Sequence, residues 1–325
     1  MIDTAAGIRS CYSSLGPVCV FGPNNFPFAF NSIAGGDFAA AIAAGNPVIG
    51  KANSSHPGTT RLLAEQALLA EQESGMPQGT VQLIYRTGHA DGEKLVADPR
   101  VGATGYTGSR GAGLKLKAAA DAAGKPIYLE LSSINPVVIL PGALAERADK
   151  LAEEFTGSCL MGTGQFCTNP GLVLLLAGDK TQSFVQQLAE RFDAAGVGTL
   201  LSAGVAKSLA SSIETLKKAG AAELTAGKGK GTGYCHANTL LQVDGGKFLA
   251  NPELWQTEAF GNASLIVIAK DAGQAEKILD HLEGNLAGCI YSDSSGSDDD
   301  LYQKLEPVLR YKVGRLLNDK MQIVS

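Results

Sequence analysis

Residues 18–51 read VCVFGPNNFPFAFNSIAGGDFAAAIAAGNPVIGK and contain the alternation that decides the fold. The apolar runs Val18–Phe21 and Pro47–Lys51 predict two buried strands, and the alanine-rich segment Asp37–Ala44 between them predicts a helix. Continuous apolar strands that are separated by helices are typical of a parallel sheet with helices on both faces. The stretch therefore predicts an α/β protein.

The alternation continues outward as far as residue 140 and then recurs less regularly. In the first part we expect further strands at Val81–Ile84, Val101–Tyr106, Ile127–Leu131 and Val137–Leu140, with helices at Thr59–Ser74, Gly92–Ala97 and Leu114–Ala123. In the second part we expect a strand at Leu172–Leu176 among helices at Leu144–Leu160, Thr181–Ala195, Ala203–Ala219 and Ala272–Leu282. A boundary near residues 131–135, where the sheet segment gives way to Ser-Ser-Ile-Asn-Pro, predicts domains of residues 1–131 and 132–325.

The composition excludes several classes of protein. The chain has 325 residues, of which 45% are hydrophobic, and its net charge is −5, so a disordered protein and a broad basic surface for nucleic acid are both excluded. The apolar stretch 26–49 is interrupted by polar residues, so we expect no membrane span, and the first residues lack the pattern of a signal peptide. The six cysteines and four histidines lack metal-ligand spacing. These features predict a cytoplasmic enzyme with reduced thiols and no metal.

One cysteine stands in an unusual setting. Cys167 lies in the segment MGTGQFCTNPG at residues 161–171, between a predicted helix and a predicted strand. A turn with flanking glycines can present a sulfur to a cleft, and its backbone N–H groups can stabilise a thiolate. The alternative is a cysteine packed in the core, which is common for this residue type.

Two polar residues follow predicted strands of the first domain. Glu130 ends an apolar strand, where a carboxylate is either paired at a sheet edge or placed in the crevice at the carboxyl ends of the strands. In the second case it could act as a general base. Asn25 follows the first strand in a proline-flanked turn, where its amide could donate to an oxyanion. Ordinary turn chemistry explains an asparagine there equally well.

Three loops are rich in glycine or acidic residues. The run TGYTGSRGAG at residues 104–113 lies between a strand and a helix, so its helix N-terminus could bind a phosphate, although its spacing differs from the usual dinucleotide fingerprint. The loop GKGKGTG at residues 227–233 is interpreted as a flexible connection. The loop at residues 294–300 carries carboxylates that suit the start of a helix.

Taken in order, these segments resemble the aldehyde dehydrogenase superfamily from about residue 15 to residue 318. Gly164-Gln165-Phe166-Cys167 is similar to the family's Gly-Gln-x-Cys nucleophile motif, and Glu130-Leu131 is similar to its general-base motif. Pro23-Asn24-Asn25-Phe26-Pro27 is similar to its Pro-Trp-Asn-Phe-Pro segment. The resemblance implies a Rossmann-type cofactor domain followed by an α/β catalytic domain.

The same resemblance implies a set of residues that bind a nicotinamide cofactor. Lys51 stands where the family has an adenosine-ribose lysine, and Glu258-Ala259-Phe260-Gly261 is similar to the element that binds the nicotinamide ribose. The remaining residues resemble the family's cofactor loop and are Thr107, Gly108, Ser109 and Gly113. Ser54 stands where many NAD-preferring relatives have a glutamate, so the resemblance implies NADP, with NAD as a second cofactor.

Several features narrow or depart from the family pattern. The phrases FCTNPGLV at 166–173 and HPGT at 56–59 resemble the 2-oxoglutarate semialdehyde dehydrogenase branch, which is similar to NADP-dependent fatty-aldehyde dehydrogenases. Asn24 replaces a tryptophan, Ser132 and Ser133 replace glycines, and Asn262 replaces a proline. Family members also carry an N-terminal segment and a C-terminal arm, and the chain resembles only the central portion between them, so we expect a monomer or an atypical dimer.

The resemblance implies oxidation of an aldehyde to a carboxylic acid. Cys167 would attack the carbonyl, Asn25 would hold the oxyanion, and Glu130 would activate the water that hydrolyses the thioester. Two alternatives remain open. The chain could be a non-catalytic module that retains the fold, or it could be an acylating enzyme that transfers the acyl group to coenzyme A.

Overall fold

The computed structural model describes residues 2–227 and 231–323. Two compact units make up the chain: unit 1, Met1–Ser132, and unit 2, Ser133–Ser325. The assignment of cofactor binding to the first domain and catalysis to the second stays a prediction. Residues 228–230 of the predicted flexible loop lie outside the described residues.

Unit 1 alternates strands and helices as the sequence predicts. Its strands are β1 (Ile2–Asp3), β2 (Ile8–Arg9), β3 (Val18–Phe21), β4 (Val48–Lys51), β5 (Val81–Ile84), β6 (Ala103–Thr107) and β7 (Ile127–Glu130). Its helices are α1 (Gly36–Ala43), α2 (Pro57–Glu73), α3 (His89–Ala97) and α4 (Arg110–Ala122). Within the described residues of this unit, β3 to β7 form a parallel sheet in the order β5-β4-β3-β6-β7, and β1 and β2 form a separate hairpin.

Unit 2 contains a larger sheet. Its strands are β8 (Pro136–Ile139), β9 (Leu172–Leu176), β10 (Ala222–Glu223), β11 (Thr239–Asp244), β12 (Ala263–Ala269), β13 (Asn285–Tyr291) and β14 (Val313–Asn318). Its helices are α5 (Pro141–Leu160), α6 (Thr181–Ala194), α7 (Ala203–Lys218), α8 (Gly245–Ala250), α9 (Pro252–Trp255), α10 (Ala272–Asp280) and α11 (Asp299–Arg310). In the described part of the unit, the strand order is β10-β11-β12-β9-β8-β13-β14, and every pairing is parallel except that of β10 with β11.

The hydrophobic cores of the two units differ in how completely they bury the strands. In unit 2, every residue of β8 and β9 is buried, and two apolar clusters fill the two faces of the sheet. In unit 1, one cluster packs α3 and α4 against the sheet and a smaller one packs α1 against it. The outer strands β5 and β7 of unit 1 are only half-buried.

The predicted α/β fold is confirmed, and the element bounds differ from the prediction in several places. Helix α2 begins at Pro57 because proline suits the first helical position. Helix α4 begins at Arg110, four residues before its predicted start, although Gly111 and Gly113 disfavour helix. Strands β11 to β14 are absent from the predicted elements, because a short apolar run does not distinguish a strand from a buried helix.

The acidic loop behaves as predicted. Asp299 and Asp300 lie in the first turn of α11, where carboxylates interact favourably with the helix dipole. The buried carboxylate of Asp298 accepts hydrogen bonds from the N–H groups of Gly142 (2.8 Å) and Ala143 (2.9 Å) at the start of α5. Among the described residues, no helix has the length and apolar character needed to cross a lipid bilayer.

Candidate functional site

Cys167 lies on a strained turn that joins α5 to β9. The turn, here termed the Cys167 turn and comprising residues 161–169, begins with three consecutive residues in the left-handed region: Gly162, Thr163 and Gly164. A Cβ on Gly164 would lie 2.0 Å from the carbonyl oxygen of Gly261, so only glycine fits there. For the non-glycine Thr163, such a backbone conformation costs about 1–3 kcal/mol. Strain of this size persists only where the surrounding structure holds it.

Gln165 is one of the residues that hold the turn. Its buried side-chain amide donates to the carbonyl oxygens of Gly162 (3.0 Å) and Thr199 (3.2 Å). Its Oε1 accepts from the N–H of Leu201 at 2.7 Å. The glutamine that precedes the cysteine by two residues therefore anchors the turn to the segment that leads into α7.

Asn135 holds the other end of the turn, and sequence analysis missed it. Its Nδ2 donates to the carbonyl oxygens of Cys167 (2.8 Å) and Asn169 (2.9 Å). The side chain is fully buried. Its only signal in the sequence is an asparagine before a proline at the start of a buried strand, which indicates a turn as readily as an anchor.

The six cysteines fall into distinct environments. Cys19, Cys159 and Cys289 are buried, and burial raises the pKa of each thiol to about 12. A thiol with such a pKa stays protonated near neutral pH and is a poor nucleophile. Cys167 is only half-buried and lies on the strained turn, so its environment differs from that of a packed core cysteine.

A narrow cleft in unit 2 borders the Cys167 turn. Gly164 and Phe166 of the turn line it together with Glu258 and Phe260. The Glu258 carboxylate accepts from the N–H of Ser133 at 3.3 Å. The structure thus brings two predicted cofactor-binding residues to the same cleft as the residues that flank the predicted nucleophile.

In unit 1, the predicted site residues lie at the carboxyl edge of the parallel sheet. Lys51 ends β4 and pairs with Phe21 of β3, after which the chain enters the turn that carries Asn25. Thr107 ends β6 and pairs with Glu130, which ends β7. Lys51 and Glu130 are three strand spacings apart, about 14 Å. Ligands of parallel sheets bind at this edge.

The loop that carries Asn25 is anchored by polar side chains that sequence analysis did not select. The buried amide of Asn31 donates to the carbonyl oxygen of Pro27 (2.9 Å) and to the hydroxyl of Thr60 (3.1 Å). The His56 ring, at the start of α2, lies 3.1 Å from the carbonyl oxygen of Pro23. These contacts fix both ends of the loop to α2.

The region after β4 is electropositive. Burial lowers the pKa of Lys51, and the nearby Arg86 guanidinium lowers that pKa further. Ser54 is exposed three residues beyond Lys51, next to a turn in which Asn53 Oδ1 accepts from the N–H of Ser55 at 3.0 Å. Arg86 follows β5, which pairs with β4, and it is exposed. It was not among the predicted site residues.

The glycine-rich loop after β6 leads directly into a helix N-terminus. The Gly108 N–H donates to the carbonyl oxygen of Glu130 at 3.0 Å, and Ser109 stands at the N-cap of α4. A Cβ on the buried Gly113 would lie 2.3 Å from Leu131 and 2.9 Å from Tyr106, so this glycine permits close packing of the helix on the sheet. That is the role of the third glycine in dinucleotide-binding turns. Direct contact of Gly113 with a cofactor stays a prediction.

Asn25 and Glu130 belong to unit 1, whereas Cys167, Glu258 and Phe260 belong to unit 2. Their joint action on one substrate therefore stays a prediction. Among the described residues, no group of three or more His, Cys, Asp or Glu side chains could hold a metal ion.

Comparison with known proteins gives consistent results. The family model described as "Aldehyde dehydrogenase family" matches residues 3–306. Alpha-ketoglutaric semialdehyde dehydrogenase 2 from Azospirillum brasilense is 42% identical over 306 residues, which are 93% of this chain and 58% of that protein. The chain thus spans about three fifths of the length of the curated relatives that it matches, since a second relative, from Acinetobacter baylyi, is covered to 59%.

Solved structures share the fold at lower identity. A glyceraldehyde-3-phosphate dehydrogenase from Methanocaldococcus jannaschii, complexed with NADP, superposes with a TM-score of 0.76 at 22% identity, covering 97% of this chain and 68% of that one. An NAD-dependent aldehyde dehydrogenase from Sinorhizobium meliloti gives a TM-score of 0.74 at 21% identity, covering 96% and 60%.

Proposed function

The chain belongs to the aldehyde dehydrogenase family, and on that premise we propose that it oxidises an aldehyde to a carboxylic acid with a nicotinamide cofactor. The observation that carries this proposal is the setting of Cys167. The residue is half-buried on a turn whose left-handed glycine tolerates no side chain and whose ends are held by two buried amides. The three deeply buried cysteines lie inside strands or a helix and not on an exposed turn of this kind.

The proposed reaction has two covalent stages. The Cys167 thiolate adds to the aldehyde carbon, and the oxyanion that forms is held by the Asn25 amide and the Cys167 backbone N–H. A bound nicotinamide cofactor would supply the acceptor for the hydride that leaves the substrate carbon. The carbonyl of the resulting Cys167 thioester is then attacked by a water that gives its proton to the Glu130 carboxylate, and the acid and the thiolate are released. Covalent catalysis divides one difficult step into two easier ones, and one oxyanion donor contributes about 3 kcal/mol.

The residues of unit 1 fit a dinucleotide. The N-terminus of α4, which follows Ser109 at the N-cap position, offers backbone N–H groups to a diphosphate at the carboxyl edge of the sheet. Lys51 would bind the adenosine ribose, about 14 Å along this edge from Glu130. Thr107 and Gly108 would flank the diphosphate. In unit 2, Glu258 and Phe260 would hold the nicotinamide ribose in the cleft beside the Cys167 turn.

We propose NADP as the preferred cofactor, with NAD as a second one. A 2′-phosphate carries up to two negative charges near neutral pH. The exposed Ser54 hydroxyl can donate to it, and the cationic Lys51 and Arg86 lie at the ends of adjacent strands. A glutamate at position 54 would repel it. Among the similar structures, one is complexed with NADP and another is named NAD-dependent.

The proposed substrate is a semialdehyde such as 2-oxoglutarate semialdehyde. The support is the name of the A. brasilense relative at 42% identity.

We further propose a monomer or an atypical dimer. Unit 1 leaves several large apolar side chains exposed, among them Phe28, Leu62 and Leu69, and sedimentation analysis would show whether these surfaces associate.

The test is oxidation of 2-oxoglutarate semialdehyde with NADP, followed by NADPH absorbance and identification of the product. We expect the carboxylic acid to form without coenzyme A, and Cys167→Ala to abolish the reaction while leaving NADPH binding intact. Cys235→Ala is the matched control, because Cys235 is also half-buried and lies in unit 2. Normal oxidation by Cys167→Ala would contradict the proposal. Product formation only with coenzyme A would favour the acylating alternative, and no NADPH binding and no reaction with an activated ester would favour the non-catalytic module.

A further inference from the structure

We propose that Asn135 is a positioning residue, which fixes the orientation of the Cys167 turn and thereby keeps the nucleophile reactive. This inference rests on the proposed function of Cys167. It concerns a side chain outside the motifs that define the site in the sequence.

The amide of Asn135 binds both ends of a three-residue stretch. Nδ2 donates to the carbonyl oxygen of Cys167 at 2.8 Å and to that of Asn169 at 2.9 Å. These two carbonyls lie on either side of Thr168, so one NH2 group fixes the peptide planes that follow the nucleophile. The first of these planes carries the N–H of Thr168, so the two hydrogen bonds fix the direction of that N–H and the backbone on the carboxyl side of Cys167.

The amide is unable to adopt the opposite orientation. Its Oδ1 accepts from the hydroxyl of Ser133 at 2.7 Å and from the N–H of Ala287 at 3.2 Å. A flipped amide would place Oδ1 against the two carbonyl oxygens and its NH2 group against the donors. Asn135 is fully buried, so water does not compensate for such a loss.

A second asparagine holds the backbone of Asn135. The Oδ1 of Asn285, at the start of β13, accepts from the N–H of Asn135 (3.1 Å) and the N–H of Ile134 (2.9 Å), and it lies 3.0 Å from the hydroxyl oxygen of Ser133. The Nδ2 of Asn285 donates to the carbonyl oxygen of Glu283 at 2.9 Å. Asn285 therefore belongs to the same buried network, but its side chain makes hydrogen bonds with Glu283 and the 133–135 segment rather than with the Cys167 turn.

The backbone conformation alone does not explain the residue type. Asn135 has φ +44°, in the left-handed region that glycine, asparagine and aspartate adopt most readily. Glycine would satisfy the backbone, and aspartate would supply the same shape with an acceptor in place of the Nδ2 donor. Only asparagine also supplies the NH2 group that binds the two carbonyl oxygens of the turn.

The experiment measures the rate of alkylation of individual cysteines by iodoacetamide against pH, with peptide mass spectrometry as the readout. Wild type is compared with Asn135→Asp, Asn135→Gly and Asn285→Asp. Asn285→Asp is the matched control. Like Asn135→Asp, it adds a carboxylate to the buried network, but its Oδ1 still accepts from the N–H groups of Ile134 and Asn135. Cys235 serves as an internal reference thiol in every sample. Glu258, the acidic side chain of the neighbouring cleft, is retained in all variants.

We expect the pH midpoint of Cys167 alkylation to rise by about one unit in both Asn135 variants, which lowers the thiolate fraction tenfold below the midpoint. The neutral Asn135→Gly variant excludes a pure charge effect. In Asn285→Asp, and for Cys235 in all proteins, the midpoint stays unchanged. If both Asn135 variants lose thermal stability but keep the wild-type Cys167 midpoint, Asn135 is a structural residue only, and the proposal is wrong.

If neither Asn135 variant folds, Ser133→Ala provides a milder test, since it removes one hydrogen bond to Asn135 Oδ1 without adding charge. A Cys167 midpoint that rises while that of Cys235 stays fixed supports the proposal, and an unchanged midpoint overturns it.

The same measurements distinguish failure of this proposal from failure of the proposed function. A wild-type Cys167 that reacts like Cys235 counts against the nucleophile role, whereas a variant that reacts like wild type counts against the positioning role alone.

Discussion

The two units hold their candidate site residues in different ways. In unit 1, the residues lie on loops at the edge of a sheet whose outer strands are half-buried, and the Asn25 loop is fixed mainly at its ends. In unit 2, Cys167 lies on a left-handed turn that is braced by buried amides beside wholly buried strands. An extended ligand needs an open edge with several contacts, whereas a nucleophile needs one atom held in place. Substitutions should therefore cost more in unit 2 than in unit 1.

The largest effect is expected at the Cys167 turn. Gly164→Ala forces a Cβ to within 2.0 Å of the Gly261 carbonyl oxygen at a left-handed position, and we expect it to destabilise unit 2 by about 4 kcal/mol. Gly157→Ala is the control, because Gly157 is exposed inside α5 with open space around it, and it should stabilise the unit by about 0.5–1 kcal/mol.

Fluorescence of Trp255 during urea unfolding measures both changes, since it is the chain's single tryptophan and is buried in unit 2. Equal stability of the two variants would show that the turn is not held as the structure indicates.

A matched pair of leucines compares the two sheets directly. Leu174 in β9 is fully buried, so Leu174→Ala should cost unit 2 about 3 kcal/mol. Leu83 in β5 is half-buried, so Leu83→Ala should cost unit 1 about 1 kcal/mol. Trp255 fluorescence reports the first variant, and hydrogen exchange of the β5 amides reports the second. A larger cost for Leu83→Ala would reverse the comparison.

Burial alone does not decide which strands the sequence predicts, since the half-buried β5 is predicted and the almost wholly buried β12 and β13 are missed. The apolar run Leu172–Leu176 predicts β9 with the bounds that the structure has. The start of α4 is predicted four residues late, because the packing of Gly113 against Leu131 and Tyr106 overrides the low helix propensity of glycine. Tertiary contact, not local preference, determines that boundary.

In the candidate site, sequence reasoning finds residues in contiguous motifs and misses residues that bind distant parts of the chain. Motifs that are contiguous in the chain, such as the segment around Cys167, are recognisable from their order. Asn135 binds groups 32 and 34 residues away, and Asn285 binds groups about 150 residues away. No local sequence pattern therefore predicts the roles of these two asparagines. Long-range polar partners of this kind become visible only in the folded structure.

Alkaline pH should destabilise unit 2 more steeply than unit 1. Burial raises the pKa of Cys159 and Cys289 in unit 2 and of Cys19 in unit 1 to about 12, whereas an unfolded thiol ionises near 8.5. The folded state therefore binds more protons than the unfolded state between these values, and stability that is complete below about pH 8.5 falls as the pH rises, by about 1.4 kcal/mol per pH unit for each thiol.

Urea unfolding of unit 2 at pH 8, 9 and 10 measures this slope through Trp255. Cys159→Ala should remove about half of the share that the two thiols contribute. An unchanged slope in that variant would refute the assignment of the alkaline loss to these thiols.

A further effect, on binding rather than on stability, is expected for cofactor choice at the open edge of unit 1. Ser54→Glu places a carboxylate where we propose that the 2′-phosphate binds, and should weaken NADPH binding about tenfold, or about 1.4 kcal/mol. NADH binding should change much less, and Ser54→Ala is the control for the lost hydroxyl. Fluorescence titration with both cofactors measures the difference. Equal losses for NADPH and NADH, or a wild-type preference for NADH, would contradict the proposed selectivity.

The central claim is that Cys167 carries the acyl group, and trapping that group tests it most directly. The protein is incubated with p-nitrophenyl acetate, quenched in acid and mapped by peptide mass spectrometry, with Cys235→Ala as the matched control. We predict a burst of p-nitrophenol and an acetyl group on Cys167, both retained in Cys235→Ala and both lost in Cys167→Ala. An acetyl group on Cys235 instead, or an undiminished burst from Cys167→Ala, would contradict the account.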